Sequence, residues 1–194
     1  MKFLFIVPHL FTFLNVFFGF LAILNIFSLQ FVTAAYCIIA AIAMDFIDGR
    51  LARALHTSSY LGMELDSLCD AISFCLAPAV LLFAWRLSSL GWFAIFVLTA
   101  YLCAGLLRLA KYNTLTVQHG TMGYFIGLPT PIAALVIASF VLFHQSILVS
   151  PFYVLLYPTT LLFLVAFLAI LMISPFRFPS FKRFTFNNFK RKKR

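Results

Sequence analysis

All five acidic residues of this chain, Asp45, Asp48, Glu64, Asp66 and Asp70, fall in one stretch of 26 residues, DFIDGRLARALHTSSYLGMELDSLCD. Asp45 and Asp48 stand three residues apart, and Gly62, Asp66 and Asp70 step by four. Both spacings place side chains on one face of a helix. If the two helices are antiparallel neighbours, four carboxylates converge. Ionised together at low dielectric they repel and lose hydration, so a positive charge must share their pocket. A donor set of oxygens alone, with no adjacent Cys or His, selects hard divalent ions, Mg²⁺ or Mn²⁺, over Zn²⁺. Such ions keep positions open for water and phosphate oxygens. Gly49, Ala52 and Gly62, small residues beside the acids, leave room for a bulky ligand to approach the helix backbones. The competing account is a salt-bridge cluster with Arg50, Arg53 and Arg108. Arg50 and Arg53 are too few for four acids, and acids within a membrane span mark function by default. Glu64 sits off the Gly62–Asp66–Asp70 stripe, where a solvated or cation-paired role suits it better than metal ligation.

The elements that must position these acids are membrane helices. The chain has 194 residues, is 64% hydrophobic with 26 phenylalanines, and only 10% of it is charged, too little to cover a soluble surface. Its apolar runs approach the length that crosses a bilayer, about 20 residues. They are continuous and lack the alternation of barrel strands, so the expected fold is an all-α polytopic membrane bundle. Six spans are expected, at roughly 10–28, 31–54, 59–86, 89–112, 126–144 and 152–173. A short segment over 1–9, bent by Pro8, is expected to lie along the interface, and it lacks the cleavage site of a signal peptide. Residues 1–175 then form the membrane domain and 176–194 a tail.

Lys2, Arg50, Arg53, Arg108, Lys111 and the tail fall on one side of this arrangement and Arg86 on the other. The positive-inside rule puts both termini and the acids on the cytoplasmic side. The tail mixes cations with Phe181, Phe184, Phe186 and Phe189, which suits an anionic lipid surface better than nucleic acid. Cys37, Cys69, Cys75 and Cys103 lie in apolar segments without Cys-x-x-Cys spacing, and His9, His56, His119 and His144 are scattered; neither set points to a metal or redox site. A divalent-cation channel or transporter would distribute its acids across the membrane and would commonly show internal repeats, whereas these acids gather near one face and no repeat is evident.

The pattern Asp45-x2-Asp48-Gly49-x2-Ala52-Arg53-x8-Gly62-x3-Asp66-x3-Asp70 resembles the signature of the CDP-alcohol phosphotransferase family at all eight of its fixed positions. The resemblance implies a six-helix membrane enzyme that moves a substituted phosphate from a CDP-linked donor to an alcohol, releasing CMP. It implies that Asp45, Asp48, Asp66 and Asp70 hold two metal ions and that Asp70 is the general base. It further implies that Asp45, Gly49, Ala52, Arg53, Gly62 and Asp66 line the CDP pocket, and that the enzyme is a homodimer. Four further runs, PHLFTFLNVFFGFLAI, LGMELDSLCDAISFCLAPA, RLAKYN and FIGLPTPIAA, resemble the bacterial serine-using branch of the family. That branch implies CDP-diacylglycerol as donor, L-serine as acceptor and the bacterial inner membrane as location. His9 and Cys75 depart from the branch, which leaves glycerol 3-phosphate and inositol phosphate as other acceptors with the same chemistry.

A serine acceptor would require a cation for its carboxylate. Arg108 and Lys111 are placed for this at the end of the fourth span, and they would serve equally as positive-inside anchors. Asn113 either bonds substrate or caps its helix. Thr12, Asn15 and Gly19 share one face of the first span, where they either pack helices or touch the nucleotide.

Overall fold

In a bilayer every backbone N–H and C=O needs a partner within the chain, so the long apolar runs close into helices. The computed structural model describes residues 2–54, 60–119, 124–143, 157–175 and 177–179. Helices α1 (Lys2–Phe27) and α2 (Phe31–Ala54) form a close hairpin. Its turn places Leu29 in the left-handed region (φ 59°), and the Gln30 N–H reaches the Asn25 carbonyl at 2.9 Å. The third span is continuous but not uniform. It begins as α3 (Tyr60–Asp70), passes through a π-helical segment (Ala71–Leu76) and ends as α4 (Ala77–Trp85). A 3₁₀ turn (Leu87–Leu90) leads into α5 (Trp92–His119). Helices α6 (Thr130–Leu142) and α7 (Pro158–Ile173) complete the bundle, each with Pro in its first turn, where no hydrogen bond is lost.

The first four spans are long and apolar enough to cross a membrane, while α6 and α7 are shorter apolar helices. The expected ends of the fifth and sixth spans fall partly on 144–156, outside the described residues. Two expectations change. Residues 2–9 are the first turns of α1, which runs through Pro8 without a break. Membrane helices tolerate a proline because the apolar surroundings leave the rest of the backbone no better option than helix. A short antiparallel pair of strands, β1 (Tyr124–Ile126) and β2 (Arg177–Pro179), also ties the segment before α6 to the chain after α7. Residues 180–194, the rest of the expected tail, lie outside the described residues.

Two apolar clusters fill the bundle. One joins α4, α5, α6 and α7 around Leu82, Tyr101, Ile137 and Val165; the other joins α1, α2, the third span and α6 around Ala22, Ile38, Phe74 and Leu81. Close approach depends on glycine at specific places. A Cβ on Gly19 would lie 2.9 Å from the Ser73 Cα, so α1 can rest on the π segment only without a side chain there. Gly127 has φ +75°, and a side chain there would run into the Met172 carbonyl. The next residue, Leu128, gives its N–H to the Leu171 carbonyl at 3.0 Å, fixing the entry of α6 against the end of α7.

Gly19→Val is therefore expected to destabilise the bundle by about 1–3 kcal/mol, the usual cost of overpacking. Thermal unfolding in detergent measures it, and an unchanged midpoint would mean that α1 does not rest on Ser73.

Candidate active site

The lone acids of a greasy chain need helices that present them together. Asp45 and Asp48 on α2 and Asp66 on α3 each offer one carboxylate oxygen, and these oxygens lie within 4.8 Å of one another. Asp48 is buried, and Asp45 and Asp66 are partly exposed. Asp66 Oδ1 is itself buried and receives no hydrogen bond among the described residues. A buried carboxylate oxygen without a donor is costly, and hard-cation coordination satisfies it. The donor set therefore fits a hard divalent ion. Helix α2 packs against the π segment and α4 beyond the acids. Gly49 and Gly62 lie half-buried at this end. Ala52 and Arg53 continue α2, but their side chains lie outside the described residues. Arg50 is exposed, its guanidinium 4.3 Å from the centre of the Phe46 ring. Glu64 is half-buried and outside the group of three acids.

Asp70 is one turn beyond Asp66 and is buried. It stands within electrostatic reach of Asp45, Asp48 and Asp66 without joining their close group. Asn15, fully buried on α1, donates its Nδ2–H to Asp70 Oδ1 at 3.0 Å. The π segment begins at the following residue, and Ala77 N–H bonds the Ile72 carbonyl five positions back. A π turn widens the helix and shifts the register of the turns beyond it. Here Ser73 Oγ donates to the Asn15 carbonyl at 3.1 Å, and the Tyr101 hydroxyl donates to the Phe74 carbonyl at 3.0 Å. Asp70 thus sits at the junction of α3 with a segment pinned from α1 and from α5.

Helix α5 brings the remaining polar groups. Arg108 gives Nη1–H to Thr130 Oγ1 at 3.1 Å and lies within electrostatic reach of Asp70 and Asp45. Lys111 is exposed. Asn113 and Ser67 bond each other, Nδ2–H to Oγ at 2.9 Å and Oγ–H to Oδ1 at 3.2 Å, which joins α5 to α3 one residue after Asp66. Sequence reasoning missed this pair, the contact of Asn15 with Asp70 and the part of Thr130. The available signal was a polar amide in an otherwise apolar helix, which seldom stays without a partner.

Residues 5–173 match the family model described as CDP-alcohol phosphatidyltransferase, and the chain belongs to that family. Within it, the chain is 34% identical over 186 residues to the CDP-diacylglycerol–serine O-phosphatidyltransferase of Helicobacter pylori strain ATCC 700392 / 26695, covering 95% of this chain and 76% of the relative. It is 32% identical over 184 residues to the Bacillus subtilis strain 168 protein of the same name, covering 94% of each. The yeast Saccharomyces cerevisiae protein of that name is 39% identical over 104 residues, half of this chain and 37% of the relative.

Asp48→Asn and Asp66→Asn are each expected to weaken Mn²⁺ binding by more than about tenfold, since loss even of a supporting residue has that effect. Calorimetric titration of purified protein measures this; affinity unchanged in both variants would place the metal elsewhere.

Proposed function

We propose that this chain transfers the phosphatidyl group of CDP-diacylglycerol to L-serine, forming phosphatidylserine and CMP. The observation that carries the reading is the meeting of Asp45, Asp48 and Asp66 beside a separately held Asp70. Family membership supports the chemistry, and the shared name of the relatives supports both substrates. Asp45, Asp48 and Asp66, with Asp70 completing the set, would hold Mg²⁺ or Mn²⁺, as a pair of ions. When bound, two such ions offset the charge of the diphosphate and stabilise both the attacking and the departing oxygen.

The residues of the chain do the rest. By the family resemblance, Gly49, Ala52 and Gly62 would leave space for the nucleotide and diphosphate, and Arg53 would serve the phosphates. Asp70 takes the proton of the serine hydroxyl as its oxygen attacks the β-phosphorus. The bond from that phosphorus to the bridging oxygen breaks, and CMP departs with the electron pair. The attack is direct, without a covalent enzyme intermediate, since among the described residues no Ser, Cys or His is paired with a base at the site. Arg108 binds the serine carboxylate; Lys111 is exposed and serves as an anchor at the helix end. Phe46, Leu61 and Leu68 are exposed apolar residues flanking the acids on α2 and α3, and they suit a donor whose acyl chains stay in the bilayer. The acids share their end of the bundle with Arg50, Arg108 and Lys111, whereas Arg86 lies at the far end of the third span. By the positive-inside rule the site faces the cytoplasm, and the family resemblance extends the reading to a homodimer in the inner membrane of a bacterium.

Purified protein with Mn²⁺ and CDP-diacylglycerol is expected to release CMP when L-serine is added, and not when chelator is present. Release driven by glycerol 3-phosphate or inositol phosphate instead of serine would reassign the acceptor. Asp70→Asn is expected to lower turnover at least about 100-fold, the scale of losing a general base, while CDP still binds. A near-normal rate in that variant would remove Asp70 from the role.

A further inference from the structure

The Asn15 amide bonds Asp70 through one end only. Its Nδ2–H faces Asp70 Oδ1 at 3.0 Å. Oδ1 is then left buried, with no donor among the described residues. On the other flank, Arg108 uses Nη1–H on Thr130 Oγ1, while its Nε–H is buried with no acceptor among the described residues. Each orphan is costly if nothing meets it. Helix packing accounts for Nδ2 and Nη1 but for neither orphan. Their senses are opposite, one acceptor on α1 and one donor on α5, and Asp70 is close to both residues.

An α-amino acid with a hydroxyl on its β-carbon supplies the matching groups. Its ammonium only donates, its carboxylate only accepts, and its hydroxyl is set between them. We infer that Asn15 Oδ1 accepts an N–H of the acceptor's ammonium while Arg108 Nε–H donates to its carboxylate, so that the hydroxyl is delivered to Asp70. Asn15 is then a specificity-determining residue for the amino group and also orients the base through Nδ2. The inference rests on the proposed serine acceptor and on Asp70 as base.

The test compares kcat/KM for L-serine, for 3-hydroxypropanoate (no ammonium) and for ethanolamine (no carboxylate), using the full chain with CDP-diacylglycerol and Mn²⁺. Asn15→Leu and Asn15→Ser are expected to lower the preference for serine over 3-hydroxypropanoate by about tenfold or more, the effect of one buried hydrogen bond to a charged group. Their preference for serine over ethanolamine should move far less. Arg108→Gln should show the opposite pattern. Both acceptors are assayed on one preparation, so a smaller folded fraction cancels in each ratio. Serine turnover with an unmoved serine-to-3-hydroxypropanoate ratio in both Asn15 variants overturns the role of Asn15 alone. No serine-driven CMP release from the unaltered chain overturns the acceptor assignment and this inference together.

Discussion

Several carboxylates in a low-dielectric bundle repel one another and have lost most of their water, and the rest of the site is arranged around that constraint. Asp45, Asp48 and Asp66 bring their oxygens within 4.8 Å of one another, and positive charge among them relieves the repulsion. Arg50 is turned onto the Phe46 ring, so it does not supply that charge from inside the pocket. A hard cation would do so and would add open coordination positions of the kind a diphosphate needs.

Asp70 is treated differently from the other three. It is separated by a turn of helix, holds a hydrogen bond from Asn15, and begins the segment where the third span widens into π geometry. That widening costs helical regularity, and the polar contacts around it offset the cost. Ser73 reaches the Asn15 carbonyl, Tyr101 reaches the Phe74 carbonyl, and Gly19 lets α1 come close enough for both Asn15 contacts. One amide bond to one oxygen fixes the Asp70 carboxylate without saturating it with donors, which suits the base role proposed for it.

A second set of polar contacts fixes α5. The paired Ser67 and Asn113 hold it against α3, and Arg108 reaches Thr130 at the start of α6. Asn15 on α1 and Arg108 on α5 are thereby both held near Asp70. Pre-set geometry of this kind is what positions two substrates for in-line transfer.

Much of this was readable from the residues alone. The apolar runs determined a helical membrane protein because backbone groups in a bilayer have no alternative partner. The i, i+3 and i, i+4 steps of Asp45, Asp48, Gly62, Asp66 and Asp70 determined which acids share a face, since helix periodicity is local. Their confinement to one end, and the hard-cation chemistry, came from residue type. What the tertiary structure decided was non-local. The continuation of α1 through Pro8 and the pairing of β1 with β2 depend on surroundings that no spacing encodes. Asn15 and Asp70 are 55 residues apart in the chain, as Ser67 and Asn113 are 46, and only packing makes them partners. The π segment, too, lies where α1, α2, α5 and α6 all pack against the third span. Side-chain type and period are properties of a segment, whereas which buried amide meets which buried acid is settled by how segments pack.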